Sequence, residues 1–214
     1  MYWKNLNTLS PNLIHAVLLA EDDTFYQHSG FDFDQILIAL KINWKKKRFA
    51  YGGSTLTQQI ARTLYLSPSK NIFRKLKEAF ITVWMELVLP KKRILELYLN
   101  FAEWGDGIFG AEAAARHYYN KSCSQLTEEE SVALASILPS PRKWSPFKET
   151  PFMKRRRNNL LSRMPKRNST IQEQPVFTST STTLTTAPEN GSITNESILL
   201  ELEKTNTNTE NNED

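Results

Sequence analysis

Residues 71–89, NIFRKLKEAFITVWMELVL, carry apolar side chains at 72, 73, 76, 79, 80, 83, 84, 87 and 88. This three-and-four spacing marks one face of a helix and is held for almost the whole stretch. Pro90 stops it. The same period recurs on both sides. Upstream, Thr55 with Gln58 three residues later is a capping-box pattern, opening a helix through Leu64 that Pro68 ends. Earlier still, apolar residues at 33, 36, 37, 40 and 44 form a helical stripe that runs into Lys45-Lys46-Lys47-Arg48, cations that complement a helix C-terminus. Gly52-Gly53 breaks the chain between these two helices. Nearest the N-terminus, Ser10 and Pro11 read as the cap and first position of a helix that delivers Glu21 at its end. Downstream, 91–100 and 111–118 read as shorter helices. Thr127 with Glu130 caps a last core helix that runs to Leu138, before Pro139. No stretch shows the two-residue alternation of a half-buried strand. The expected fold is mainly α.

At 214 residues the chain suffices for one well-buried domain and hardly for two. Its charge is unevenly divided. Residues 1–167 hold 26 basic and 15 acidic side chains, a formal +11, whereas 168–214 hold one basic and eight acidic. Such an excess favours a polyanionic partner, whether nucleic acid, an anionic membrane surface or a pyrophosphate-bearing substrate. The Ser/Thr/Asn-rich tail, 168–214, cannot bury enough surface to offset its ordering entropy and is expected to be disordered, so function is sought before Arg167. Cys123 is the only cysteine, which excludes an intrachain disulfide. No apolar run approaches the roughly 18 to 20 residues that span a bilayer, and MYWKNLN lacks the basic start and apolar core of a signal. Any N-terminal anchor is expected to precede Met1.

Three segments can carry chemistry. The first is 20–30, AEDDTFYQHSG, directly after the apolar run 13–20. A carboxyl at the buried end of a helix has its pKa pushed toward neutrality and can then move protons. Taken alone, a helix end with Glu21, Asp22 and Asp23 hydrated is the commoner arrangement. The second is 52–59, GGSTLTQQ. Its glycines allow a sharp turn and close approach to a ligand, while the following helix offers free amides and a positive dipole end to an anion. The third is Arg74, Lys75 and Glu78, neighbours on one helix beside its apolar stripe; an arbitrary triplet of this kind is a solvated salt bridge. The glycines of 105–110, GDGIFG, have dinucleotide-binding spacing, but they follow a helix rather than a strand. A tight turn packed against 111–115 is expected instead. His28 has no second His or Cys at ligand spacing, so no metal site is expected there.

Together, AEDDTFYQHSG, GGSTLTQQ, Arg74-Lys75 with Glu78, KKRILELYLN and GDGIFGAEAAA stand in the order and approximate spacing of the peptidoglycan glycosyltransferases, glycosyltransferase family 51. The resemblance covers about residues 6–165, and LPSPRKWSP with no transpeptidase domain after it is more similar to the monofunctional biosynthetic transglycosylases than to bifunctional penicillin-binding proteins. It implies a lysozyme-like helical domain over 1–167 with a small membrane-facing jaw lobe, matched by residues 31–51. It also implies polymerisation of lipid II onto a growing glycan strand by inverting β-1,4 transfer, releasing undecaprenyl pyrophosphate at the outer face of the cell membrane. Other cell wall synthesis proteins are implied as partners, and nucleic acid is not. By the same resemblance Glu21 matches the base that deprotonates the acceptor 4-hydroxyl, and Glu78 the second carboxylate, near the donor pyrophosphate. Contacts to substrate are implied for Asp22, Phe25, His28 and Gly30; for Gly53, Ser54, Thr55, Thr57, Gln58, Gln59 and Arg62; for Lys70, Arg74 and Lys75; and for Asn100.

This division of labour is physically sound. An alcohol is a poor nucleophile until a base takes its proton, and a departing pyrophosphate needs cations, here Arg62, Lys70, Arg74 and Lys75. No cofactor is required; Glu78 would orient Arg74 or Lys75, or hold a divalent ion, Mg or Mn, bridging the phosphates. Trp44, Phe49, Tyr51 and the cations at 45–48 would bind the membrane surface. One departure from the family pattern is Arg62-Thr63 where Lys-Asn is common. Two other readings compete. A lysozyme-like hydrolase would share the fold but has no use for GGSTLTQQ or the Arg74-Lys75-Glu78 group. A basic helical nucleic-acid-binding protein would explain +11 and leave the carboxylates idle.

Overall fold

The computed structural model describes residues 2–47, 52–67 and 71–165. The tail expectation lies outside these residues, as do the calls on Arg48, Phe49, Tyr51, Pro68 and Lys70. Among the described residues the chain forms eight α-helices and one short hairpin: α1 Pro11–Glu21, α2 Phe33–Lys45, α3 Leu56–Tyr65, α4 Ile72–Val88, α5 Lys91–Phe101, β1 Glu103–Gly105, β2 Ile108–Phe109, α6 Ala111–Tyr119, α7 Glu128–Ile137 and α8 Pro151–Arg163. The mainly α expectation holds.

The local signals act as anticipated at most helix starts. Thr55 and Thr127 each close a full capping box, with Gln58 and Glu130 reaching back to the cap N–H. Ser10 precedes Pro11 at the α1 start, but its hydroxyl makes no cap bond and donates instead to the Leu126 carbonyl, 3.2 Å away. α7 is buried from Ser131 to Ile137, apolar or small on every side, and forms the central rod on which α1 and α8 pack. α3 lies against both α4 and α5. Leu13 and Val17 of α1, Ile60 of α3, Leu95 and Leu99 of α5 and Leu134 of α7 join in one core, each side chain contributing roughly 1.5 to 3 kcal/mol by leaving water.

Three findings depart from expectation. The long stripe of α4 exists but faces outward: Phe73, Phe80, Trp84 and Leu87 are exposed, and the residues that α4 buries are Glu78, Thr82 and Met85. α2 is similar, with Phe33, Leu37, Leu40 and Trp44 exposed while Ala39 and Ile42 are buried. The glycine-rich 105–110 segment is not only a turn, because β1 and β2 pair antiparallel across it with an irregular register. Five strand residues are too few to show alternation. Finally, α8 is a helix that apolar periodicity could not reveal, since it buries only Met153 and Leu160. Its signals were Thr150, whose side chain caps the Met153 N–H, and Pro151 at the first position.

Candidate active site

α1 ends at Glu21 because Asp22 leaves helical geometry, so the Glu21 side chain stands at the edge of the core with only 10% exposure. Oε2 accepts from the Gln59 side-chain amide of α3 at 3.0 Å. Oε1 is buried with no hydrogen-bond partner among the described residues; the nearest cation is Arg156 of α8, 3.6 Å away. Burial pushes the Glu21 carboxyl pKa up, against the Gln59 bond and the Arg156 charge, with Asp22 adding to the rise. A carboxyl so placed holds and releases a proton more readily near neutrality than a hydrated one.

The neighbouring side chains form a frame that fixes this end of α1. Asp22 accepts from the Leu56 backbone N–H at 2.8 Å and from His28 Nε2 at 2.9 Å, tying the first segment to the first turn of α3. His28 Nδ1 accepts from the Gly30 N–H at 3.1 Å, which leaves Nε2 as the donor to Asp22. Gly30 has φ +88°, and a Cβ there would sit 2.7 Å from Thr82 and 2.9 Å from Glu86 of α4. Its carbonyl accepts from Thr55. Gly53 serves close approach instead, since a Cβ would meet the Gln35 carbonyl of α2 at 3.0 Å. Phe25 is buried beneath the Lys91 ammonium, 4.4 Å from its ring centre. Thr57 donates to Glu86, which also holds Lys91.

Glu78, fully buried on α4, accepts from Arg74 at 2.9 Å and from Lys75. The solvated salt bridge that such a triplet would ordinarily make is not what forms: the carboxylate is inside and Lys75 remains half-exposed. Lys75 Nζ also lies 3.5 Å from Ser54 Oγ. Glu21, through Gln59, and Glu78, through Lys75 and Ser54, thus both reach the α3 segment. A hollow of about 300 Å³ opens where α3 ends and α4 begins, bordered by Tyr65, Asn71, Phe73, Arg74 and Lys77.

Of the other expected contacts, Thr55, Thr57 and Gln58 are buried and direct their polar atoms into the protein. Asn100 is likewise buried, bonded to the Lys4 backbone and the Glu96 carbonyl. Arg62 is exposed. Both Glu78 carboxylate oxygens accept from cations, Arg74 and Lys75, so a divalent ion there would have to displace one of them. Sequence reading missed Arg156, which reaches Glu21 from a helix without apolar periodicity.

The helical domain thus sets two glutamates out of water, one short of donors at a helix end and one locked to cations. Comparison with known proteins specifies the class. Residues 1–165 match the transglycosylase family, and the chain belongs to it and is a glycosyltransferase. It is 48% identical over 162 residues to a biosynthetic peptidoglycan transglycosylase of Nitrosospira multiformis, covering 76% of this chain and 70% of the relative. Against the protein of that name from Dechloromonas aromatica it is 47% identical over 163 residues, covering 76% and 71%. Against that of an Azoarcus species it is 53% identical over 142 residues, covering 66% and 62%.

Proposed function

We infer that the protein polymerises peptidoglycan glycan strands from lipid II at the outer face of the cell membrane. Glu21 takes the proton from the acceptor 4-hydroxyl as that oxygen attacks the donor anomeric carbon. The carbon–oxygen bond to the pyrophosphate breaks on the opposite face, which inverts the centre, and undecaprenyl pyrophosphate leaves. Arg74 and Lys75, held by Glu78, and Arg62 offset the charge that develops on the leaving group. Arg74 Nε, buried without a hydrogen-bond partner, has a donor unspent. No metal is needed for this step, because the side chains supply the cations. The observation that carries the reading is the Glu21 carboxyl, buried, raised in pKa and with one oxygen lacking a donor, at the place where the family motif puts its base.

The outward apolar faces of α2 and α4 suit a lipid-linked substrate, since apolar residues bordered by lysines let a protein lie against an anionic bilayer. No described helix is long and apolar enough to cross a membrane. The decisive experiment incubates the purified protein with labelled lipid II and looks for polymer that moenomycin suppresses. Polymer from wild type and none from Glu21→Gln supports the reading; equal polymer from both removes Glu21 from the chemistry.

A further inference from the structure

Resting on Glu21 as the base, we propose that Tyr98 is a positioning residue for it, acting through the Gln59 carboxamide without touching substrate. Tyr98 lies on α5, buried between Leu95 and Leu99, and its hydroxyl donates to Gln59 Oε1 at 3.3 Å. The other end of that carboxamide, Nε2, donates to Glu21 Oε2 at 3.0 Å. Three helices, α5, α3 and α1, are thus joined in one line of hydrogen bonds.

The direction of the line is fixed by chemistry. An ionised carboxylate only accepts, so the Gln59 NH₂ must face Glu21, and its oxygen must then face a donor. Tyr98 is that donor. Rotating the amide by half a turn would set oxygen against carboxylate and NH₂ against a hydroxyl, losing the bond to the base. Burial, together with the negative charges of Glu21 and Asp22, holds the phenol pKa well above its ordinary value despite Arg62, which favours the hydroxyl as a donor. A phenylalanine would fill the same core space without a polar atom to satisfy, so the hydroxyl is explained by its partner rather than by packing.

The consequence reaches the reaction. Gln59 occupies Oε2 while Oε1 is buried without a hydrogen bond, so the amide that Tyr98 orients is the one hydrogen bond this carboxyl receives among the described residues. The charged groups facing this carboxyl are Asp22 beside it on the chain and Arg156 from α8, with Arg62 of α3 on the Tyr98 side. None of them replaces the Gln59 donor if the amide turns.

The test follows Glu21 directly, by ¹³C NMR of labelled glutamate carboxyls, with the peak assigned by its loss in Glu21→Gln. In Tyr98→Phe the Glu21 titration midpoint should move to higher pH. The acid limb of the kcat profile with lipid II should follow it, and kcat should fall on the order of tenfold with little change in KM. In a Gln59→Leu background the same Tyr98→Phe change should add nothing. An unmoved midpoint, or an equal added loss in both backgrounds, overturns the proposal. Should Tyr98→Phe not fold, the Tyr98 ring decides: a ¹³Cζ shift that follows the Glu21 titration in wild type and not in Gln59→Leu supports the line, and a shift indifferent to that titration, or alike in both, refutes it. Normal turnover by Glu21→Gln would instead sink the assignment of the base, while the carboxyl titration would still report whether Tyr98 governs that side chain.

Discussion

The protein buries glutamates at Glu112, near the start of α6, and at Glu21, at the end of α1, and their surroundings drive them in opposite directions. Burial alone would raise both. Around Glu112 it is outweighed: Cys123 and Ser122 donate to one oxygen at 3.0 and 3.1 Å, Arg116 to the other at 2.7 Å, and the carboxyl pKa falls to about 2. Around Glu21 a single amide donates to one oxygen, the nearest guanidinium stands at 3.6 Å from the other, and the pKa rises. Donor number, rather than depth, separates a carboxylate that fastens the fold from one left able to accept a proton.

The sharpest way to break this contrast is to neutralise each site. Glu21→Gln should reduce turnover of lipid II on the order of a thousandfold, measured as labelled polymer formed per unit time. It should cost no stability. A carboxyl raised in the folded state contributes stability below its ordinary pKa and loses that contribution as pH rises through the folded value, so at neutral pH the neutral amide should melt no lower than wild type. A large drop in melting temperature would make Glu21 a structural residue like Glu112.

Glu78 stands between the two extremes, bonded as fully as Glu112 yet next to the phosphate-binding side chains proposed for the reaction. Glu78→Gln should cost about a hundredfold in turnover, because Arg74 and Lys75 lose the anion that aims them. It should also lower stability, since it leaves a partly buried guanidinium without its counter-charge. Full activity would place Glu78 wholly on the structural side.

At Glu112 the expected loss is in folding alone. Glu112→Gln should destabilise by about 2 to 3 kcal/mol in denaturant titration at neutral pH and leave turnover unchanged. Its folded-state pKa lies below the ordinary 4.5, so its contribution is complete above that pH and disappears as pH falls toward about 2. The difference between wild type and variant should therefore close over that window. A gap that persisted at the acid end would show that shape, not charge, is what Glu112 supplies.

How much of this contrast could be read in the sequence depends on the range of the signals. Capping boxes, prolines and the period of α4 act within a few residues, and Thr55, Thr127 and residues 72–88 behave as read. Periodicity names a face but not what it faces, so the stripe of Phe80 and Trp84 was legible while its exposure was not. Glu21 was legible because an apolar run leads straight into it. Arg156 was not, since a run of consecutive basic residues reads as solvated surface until α8 brings it beside α1. The bonds of Thr55 to the Gly30 carbonyl and of Thr57 to Glu86 were equally hidden, because the polar side chains of a helix start look the same whether they meet a ligand or the protein itself.

Arg156 gives the smallest and most specific test. For Glu21 it occupies the place that Arg116 has for Glu112, but at 3.6 Å rather than 2.7 Å, and it also donates to the Ser136 and Ala20 carbonyls. A partly exposed cation at that separation exerts a screened pull. Arg156→Gln should move the acid limb of turnover to higher pH, because removing the positive charge lets burial raise Glu21 further, with a loss of a few-fold at neutral pH. Arg156→Lys keeps the charge and gives up the planar donor fork that reaches the two carbonyls. If that variant restores the limb, charge is what Arg156 supplies to the base. If it behaves like Arg156→Gln, the bonds that hold α8 against α1 and α7 matter more, and Glu21 resembles Glu112 in depending on the fold's fastening as well as on its own donors.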